Sequence, residues 1–222
     1  MYRIPKHIGI IPDGNRRWAS SRGLGKEEGY TFGLEPGLRL LRAAKKSGVQ
    51  ELTYYGFTVD NCKRPRKQVQ AFSEACIRAV QMIEQENVQL CIVGNTDSAC
   101  FPKELLAYTD RGISGNPSLC PENGTTLKSL PPKEREADKM RVNFLVNYGW
   151  EWDMKNNWAS RNIPRVDMVI RWGGMCRLSG FLPIQTVYSD FYIIPDLWPD
   201  FREQQFEDAL AWYRKQDVTL GG

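Results

Sequence analysis

One histidine, His7, occurs in 222 residues, and none of the six cysteines stands in a C-x-x-C pair. That combination excludes a His/Cys zinc cluster. No apolar run approaches the ~20 residues that a membrane span needs. No internal repeat recurs, no low-complexity tract marks a linker, and no signal-peptide pattern is present. Cys62, Cys76, Cys91, Cys100, Cys120 and Cys176 are therefore expected as reduced thiols of a cytoplasmic protein, in at most peripheral contact with membranes. Charge of one sign is also scarce. A net charge of +4 suits an anionic substrate or a membrane surface without demanding nucleic acid, and the basic patch 63–67 is too short to predict such a partner. The length suits one large α/β domain over residues 1–222.

What is present concentrates near the start, in His7-Ile8-Gly9-Ile10-Ile11-Pro12-Asp13-Gly14-Asn15-Arg16-Arg17-Trp18-Ala19. The apolar run predicts a buried strand that stops at Pro12. A carboxylate, a glycine, an amide and two guanidiniums follow as a loop. Glycine admits a ligand close to the backbone, and guanidiniums offer forked donors to phosphate oxygens. Asp13 is an oxygen ligand of the kind Mg²⁺ accepts beside phosphates. The residues point to a diphosphate–magnesium site; a plain basic turn after a strand is the other reading.

Strands are predicted next at 52–57, 88–93, 142–148, 166–171 and 191–194. Helices are predicted at 30–46, 66–84, 102–108, 151–160, 181–189 and 203–215. Gly29, Gly33 and Gly37 put one helical face in reach of a close neighbour, and Pro36 implies a later start or a kink. Residues 96–140 are the least regular, with a charged run from Lys133 to Arg141 expected on the surface. The alternation predicts an α/β fold: a central, mostly parallel six-stranded sheet flanked by helices. Parallel strands would bring three polar clusters, after Ile11, Phe57 and Ile170, to one sheet edge. His7 precedes the first strand, so it is expected at the opposite edge in a structural role.

The third cluster, Arg171-Trp172-Gly173-Gly174-Met175-Cys176-Arg177-Leu178-Ser179-Gly180, offers two arginines and a hydroxyl around a turn. These could hold a second diphosphate or simply flank the turn. Asp190 reads as a metal ligand or an ordinary acid beside a strand. Aromatic residues Tyr54, Tyr55, Phe57, Trp172 and Tyr188 could shield a carbocation or belong to the core.

These stretches, in this order, resemble the cis-prenyltransferases, the undecaprenyl diphosphate synthase family. The resemblance implies Mg²⁺ on Asp13 and, late in the chain, on Asp190. It assigns the allylic diphosphate to Gly14, Asn15, Arg16, Arg17 and Lys26. Phe57-Thr58-Val59-Asp60-Asn61, with Arg64 beyond, stands at the family's Phe-Ser-x-x-Asn motif. Arg171, Arg177 and Ser179 stand where the family holds a homoallylic diphosphate. Asn15, Thr58 and Asn61 would orient substrates while an allylic diphosphate ionises and a second double bond attacks. A homodimer is implied by the resemblance alone.

Departures from the family pattern are Tyr30 for a histidine, Lys26 for an arginine, Cys62 for a tryptophan, Met175 for an acid and Thr219-Leu220-Gly221 for the terminal Arg-x-Gly. The second site is therefore the more altered one. Pro12, Trp172-Gly173-Gly174 and the segment 178–183 resemble the short-product branch of lavandulyl and cyclolavandulyl diphosphate synthases. That branch implies head-to-middle coupling of two dimethylallyl diphosphates. Regular cis condensation with isopentenyl diphosphate, on dimethylallyl or geranyl diphosphate, is the enzyme alternative, and a non-catalytic subunit is the alternative of another class.

Overall fold

Six strands, all paired in parallel, form a sheet of order β3-β4-β2-β1-β5-β6. The computed structural model describes residues 3–109 and 139–217. The strands are β1 (His7–Ile11), β2 (Glu51–Thr58), β3 (Gln89–Val93), β4 (Arg141–Tyr148), β5 (Met168–Arg171) and β6 (Asp190–Ile193). The helices are α1 (Asn15–Ser21), α2 (Gly29–Phe32), α3 (Leu34–Lys46), α4 (Arg66–Glu84), α5 (Trp150–Lys155) and α6 (Glu203–Tyr213). Most of the charged run at 133–141, and Thr219-Leu220-Gly221, lie outside the described residues.

The two faces of the sheet are covered differently. Ile8, Ile10, Leu52, Tyr54 and Ile170 point to a face packed by Leu40 and Leu41 of α3, Val80 and Ile83 of α4, and Phe206 and Leu210 of α6. Each such buried side chain contributes roughly 1.5–3 kcal/mol. The opposite face, with Ile11, Tyr55, Leu145 and Val169, is covered by Ile163, Phe181 and Leu182, from turns between α5 and β6. Alternation along β2 is interrupted by a register shift between Tyr55 and Phe57. This bulge at Gly56 returns Phe57 to the face of Tyr54.

The predicted strands and the helix after Pro65 are present. Four local expectations change, the first being the helix expected over 151–160, which ends at Lys155 and gives way to turns. The helix expected from 30 divides at Gly33 into α2 and α3, and Pro36 falls in the first turn of α3, where its missing N–H costs nothing. The segment 181–189 is a run of turns, because Leu182 takes a left-handed φ of 36° just before Pro183. The residues after Gly14, expected as a loop, form α1. The glycine face works as expected: a Cβ at Gly29 would lie 2.1 Å from the Asn15 carbonyl oxygen, and one at Gly33 would lie 2.5 Å from Asn15 Oδ1. The missing side chains let α2 close over α1.

Candidate active site at the carboxyl edge of the sheet

The three polar clusters meet at the carboxyl ends of β1, β2 and β5, around an open basin of about 720 Å³. Asp13 lines it, following β1, the strand between β2 and β5. The Asp13 carbonyl accepts the Trp198 N–H at 3.0 Å, which ties the turn after β1 to the segment after β6. Its carboxylate is one-third exposed and accepts from Arg171 Nη2 at 2.8 Å, with Arg17 Nη2 at 3.5 Å. Arg171 is 4% exposed. Its Nη1 donates to Ser179 Oγ at 3.0 Å and to the Arg177 carbonyl, while its buried Nε has no partner.

Six basic side chains line the basin, Arg16, Arg17, Lys26, Arg64, Arg171 and Arg177, against two carboxylates, Asp13 and Asp60. Asp60 is already paired with Lys63 at 2.6 Å. The excess positive charge, at the wall of a concave site, favours a polyanion. The cations fall into two sets on either side of Asp13. On one side Arg64 Nη1 donates to the Tyr30 hydroxyl at 3.0 Å, and burial together with the nearby Arg16 disfavours its charge. An arriving anion would relieve both effects. On the other side lie Arg171, Arg177 and Ser179.

Not every arginine is equally available. Arg16 is exposed toward the basin. Arg17 spends Nη1 on the Gly173 carbonyl at 3.0 Å, and so joins α1 to the loop after β5. Asn15 donates Nδ2 to the Pro12 carbonyl at 3.1 Å, leaving a buried Oδ1 without a partner. Asn61 accepts the Thr58 N–H at 3.1 Å and closes a capping box over the turn Val59–Lys63. Thr58 and Asn61 thereby hold each other at the basin wall.

A second cavity, narrow at about 90 Å³ and apolar, adjoins the basin. Pro12, Asn15, Tyr30, Gly56 and Phe72 line both. The rings of Tyr30 and Phe72 stack at 4.5 Å in this neck. Cys76, Ala79, Met82 and Ile83 of α4 wall the space beyond it. Polar groups converging beside an apolar recess suit an amphiphile with a charged head and a short hydrocarbon tail.

Among the expected site residues, the structure brings Asp13, Gly14, Asn15, Arg16, Arg17, Lys26, Tyr30, Thr58, Asn61, Arg64, Arg171, Arg177 and Ser179 to the basin. Two are not brought there. Phe57 is 1% exposed, turned into the core by the bulge and packed edge-on against Phe72. Asp190 begins β6, in register with Met168 at the amino end of β5, and pairs with Arg3 at 3.5 Å. Through Met168, Asp190 is level with Ile8, five residues before Asp13. Trp172 is fully buried in the core, while Tyr188 lies on the surface under Arg165. Sequence reasoning missed Phe72, which read as one more apolar position on α4. It also missed α1, whose Trp18 and Ala19 are the buried side of a single short helix.

The family model for undecaprenyl diphosphate synthase matches residues 11–161 and 154–221. The chain belongs to the cis-prenyltransferase family. An undecaprenyl diphosphate synthase of Coxiella burnetii is 31% identical over 98% of this chain and 96% of its own. An isoprenyl transferase of Nitrosomonas europaea is 30% identical over 98% and 86%. Lavandulyl diphosphate synthase from Lavandula x intermedia, solved with dimethylallyl diphosphate, superposes with a TM-score of 0.76 over 99% of both chains; at 24% identity the likeness speaks to the fold alone.

This cis-prenyltransferase is thus an enzyme of prenyl transfer. The family is generally Mg²⁺-dependent, and the donor set here is compatible with that ion. Mg²⁺ binds through one or two carboxylates completed by substrate phosphates, and Asp13 offers one carboxylate between two cationic sets. Among the described residues no group of three His, Cys, Asp or Glu forms a metal cage, and none of the helices is long and apolar enough to cross a membrane.

Proposed function

We propose that this cis-prenyltransferase joins two dimethylallyl diphosphates head to middle, giving a branched or cyclised C10 diphosphate of the lavandulyl type. The observation that carries the reading is the pairing of two cationic sets across Asp13 with an apolar recess of only about 90 Å³. Two diphosphate heads fit the first feature, and short tails fit the second. The altered acceptor side, where Met175 lines the basin in place of an acid, supports a changed coupling mode.

In this reading Arg16, Lys26 and Arg64 hold the donor diphosphate. Asp13 would hold Mg²⁺, which supplies charge neutralisation for the departing pyrophosphate when bound. The guanidiniums stabilise negative charge as it develops on the leaving oxygen. Asn15 lines both the basin and the neck, where its amide side chain would orient the donor. Arg171, Arg177 and Ser179 hold the acceptor diphosphate and aim its double bond at C1 of the donor. A new carbon–carbon bond forms as the carbon–oxygen bond breaks, and the resulting tertiary cation loses a proton to pyrophosphate.

The relatives named undecaprenyl diphosphate synthases, at 27–31% identity, favour a second reading: regular cis condensation with isopentenyl diphosphate. A homodimer fits the exposed apolar side chains Trp150, Met154, Ile184 and Val187. Purified protein with Mg²⁺ and dimethylallyl diphosphate alone, followed by dephosphorylation, mass spectrometry and NMR, separates the readings. A branched or cyclic C10 alcohol supports head-to-middle coupling. Linear Z-products that need isopentenyl diphosphate establish the second reading, and no product from any combination overturns both.

A further inference from the structure

The loop after β5 is held in an unusual conformation. Gly173, Gly174, Ser179, Gly180 and Leu182 all have positive φ, at 88°, 74°, 53°, 80° and 36°. Glycine tolerates this, whereas serine and leucine do so only where their surroundings compel it. Residues 173 and 174 are fixed by backbone bonds from Gly173 N–H to Asp196 and from Gly174 N–H to Ile194. Phe181 is fixed by its packing across Gly9. Between these anchors, among the described residues, the sheet hydrogen-bonds the segment 175–180 through two side chains. One is Arg171, which reaches the Arg177 carbonyl and Ser179 Oγ. The other is Tyr55.

Tyr55 lies on β2, is 7% exposed, and donates its hydroxyl to the Ser179 carbonyl at 2.9 Å. Its ring is set between Phe181 at 5.3 Å and Tyr148 at 6.2 Å. Tyr148 in turn donates to the buried Asp153 carboxylate at 2.6 Å, which also accepts from Ser160. The Tyr55 hydroxyl is thus delivered by a fixed ring to the carbonyl of the residue in left-handed conformation. Arg171 grips the side chain of the same residue. With either grip removed, one hydrogen bond fewer from the sheet holds Ser179 in the left-handed conformation in which its Oγ meets Arg171.

We propose that Tyr55, at the basin wall, is a positioning residue for the second diphosphate: its hydroxyl sets the Arg171–Arg177–Ser179 site through the Ser179 carbonyl. This rests on the reading of the basin as two diphosphate sites. The test is calorimetric titration with inorganic pyrophosphate and MgCl₂ of wild type, Tyr55→Phe, Arg64→Gln and Tyr148→Phe, with melting temperatures alongside. Wild type is expected to show two classes of site, one of them weakened by Arg64→Gln. Tyr55→Phe should weaken the other class tenfold or more and leave the first within twofold. Tyr148→Phe, which loses a buried hydroxyl outside the basin, should lower the melting temperature and leave both classes unchanged. Equal weakening of both classes in Tyr55→Phe, or none, overturns the positioning role while the two-site reading stands. A wild type with no pyrophosphate binding overturns both.

Discussion

The two ends of the same parallel strands make opposite use of polar residues. At the amino edge, His7 is 2% exposed, with Nε2 2.8 Å from Thr53 Oγ1 and Nδ1 3.2 Å from the carbonyls of Pro164 and Arg165. Carbonyls only accept, so Nδ1 carries the proton and the Thr53 hydroxyl donates to Nε2. Asn143 Nδ2 donates to Glu51 Oε1 at 2.6 Å and to Thr53 Oγ1 at 3.0 Å. Protein groups partner each of these side chains. At the carboxyl edge, Asn15 Oδ1 and Arg171 Nε are unpartnered, and the guanidiniums face a basin. Buried polarity alone therefore does not mark a site. Polarity left incomplete beside open volume does.

The comparison breaks most sharply at Asp13. Asp13→Asn keeps an oxygen that can accept from Arg171, but removes the charge that would hold Mg²⁺. Turnover should fall about a thousandfold, equivalent to about 4 kcal/mol of transition-state stabilisation, while circular dichroism and the melting temperature stay close to wild type. Full Mg²⁺-dependent activity in this variant would remove the carboxyl edge from the chemistry.

The amino edge should respond through stability instead. Burial holds the His7 pKa down at about 4, against 6.5 in the unfolded chain. Between those values the unfolded state binds the proton and the folded state does not. Stability is therefore complete above about pH 6.5 and is lost as pH falls toward 4, by about 3 kcal/mol. Asp167 raises this pKa and Arg141 lowers it; Glu51, raised by its own burial, acts in the opposite direction. Urea unfolding of wild type and His7→Gln across this range isolates the histidine, and parallel curves would refute it. Asn143→Ala should follow at about 2 kcal/mol, since it strips donors from Glu51 and Thr53. Activity per folded molecule should not change, as a urea midpoint and a Mg²⁺-dependent assay on the same preparation would report.

Much of the contrast was legible in the sequence. Apolar runs ending in Asp13, Thr58 and Arg171 located the strands and, by parallel pairing, the shared edge. The rest depended on geometry that residue order does not encode. Phe57 belongs to the motif yet leaves the site because one bulge at Gly56 reverses its face. Phe72 enters the neck because α4 carries it against Tyr30, although its periodicity reads only as core. Arg17 resembles Arg16 in sequence but is turned to the Gly173 carbonyl, a contact created by the loop after β5.

Asp190 gives the smallest and most discriminating effect. As a carboxylate near a strand end it resembles Asp13, but it occupies the first position of its strand, whereas Asp13 stands two residues beyond the last. Its contact is a part-exposed ion pair with Arg3, of a kind that contributes at most about 1 kcal/mol. Asp190→Ala should therefore shift the urea midpoint slightly and leave the Mg²⁺ dependence of turnover within twofold of wild type. A large rise in the Mg²⁺ concentration needed for half-maximal rate would mean that this edge reaches an active site after all. Within one chain the strand length forbids that, so the carboxylate would have to act across an interface with a second copy. Mixing Asp190→Ala with Asp13→Asn would then restore activity, because one site in the mixed dimer would receive both carboxylates. With a single-chain site, the same mixture gives only the activity of its Asp190→Ala fraction.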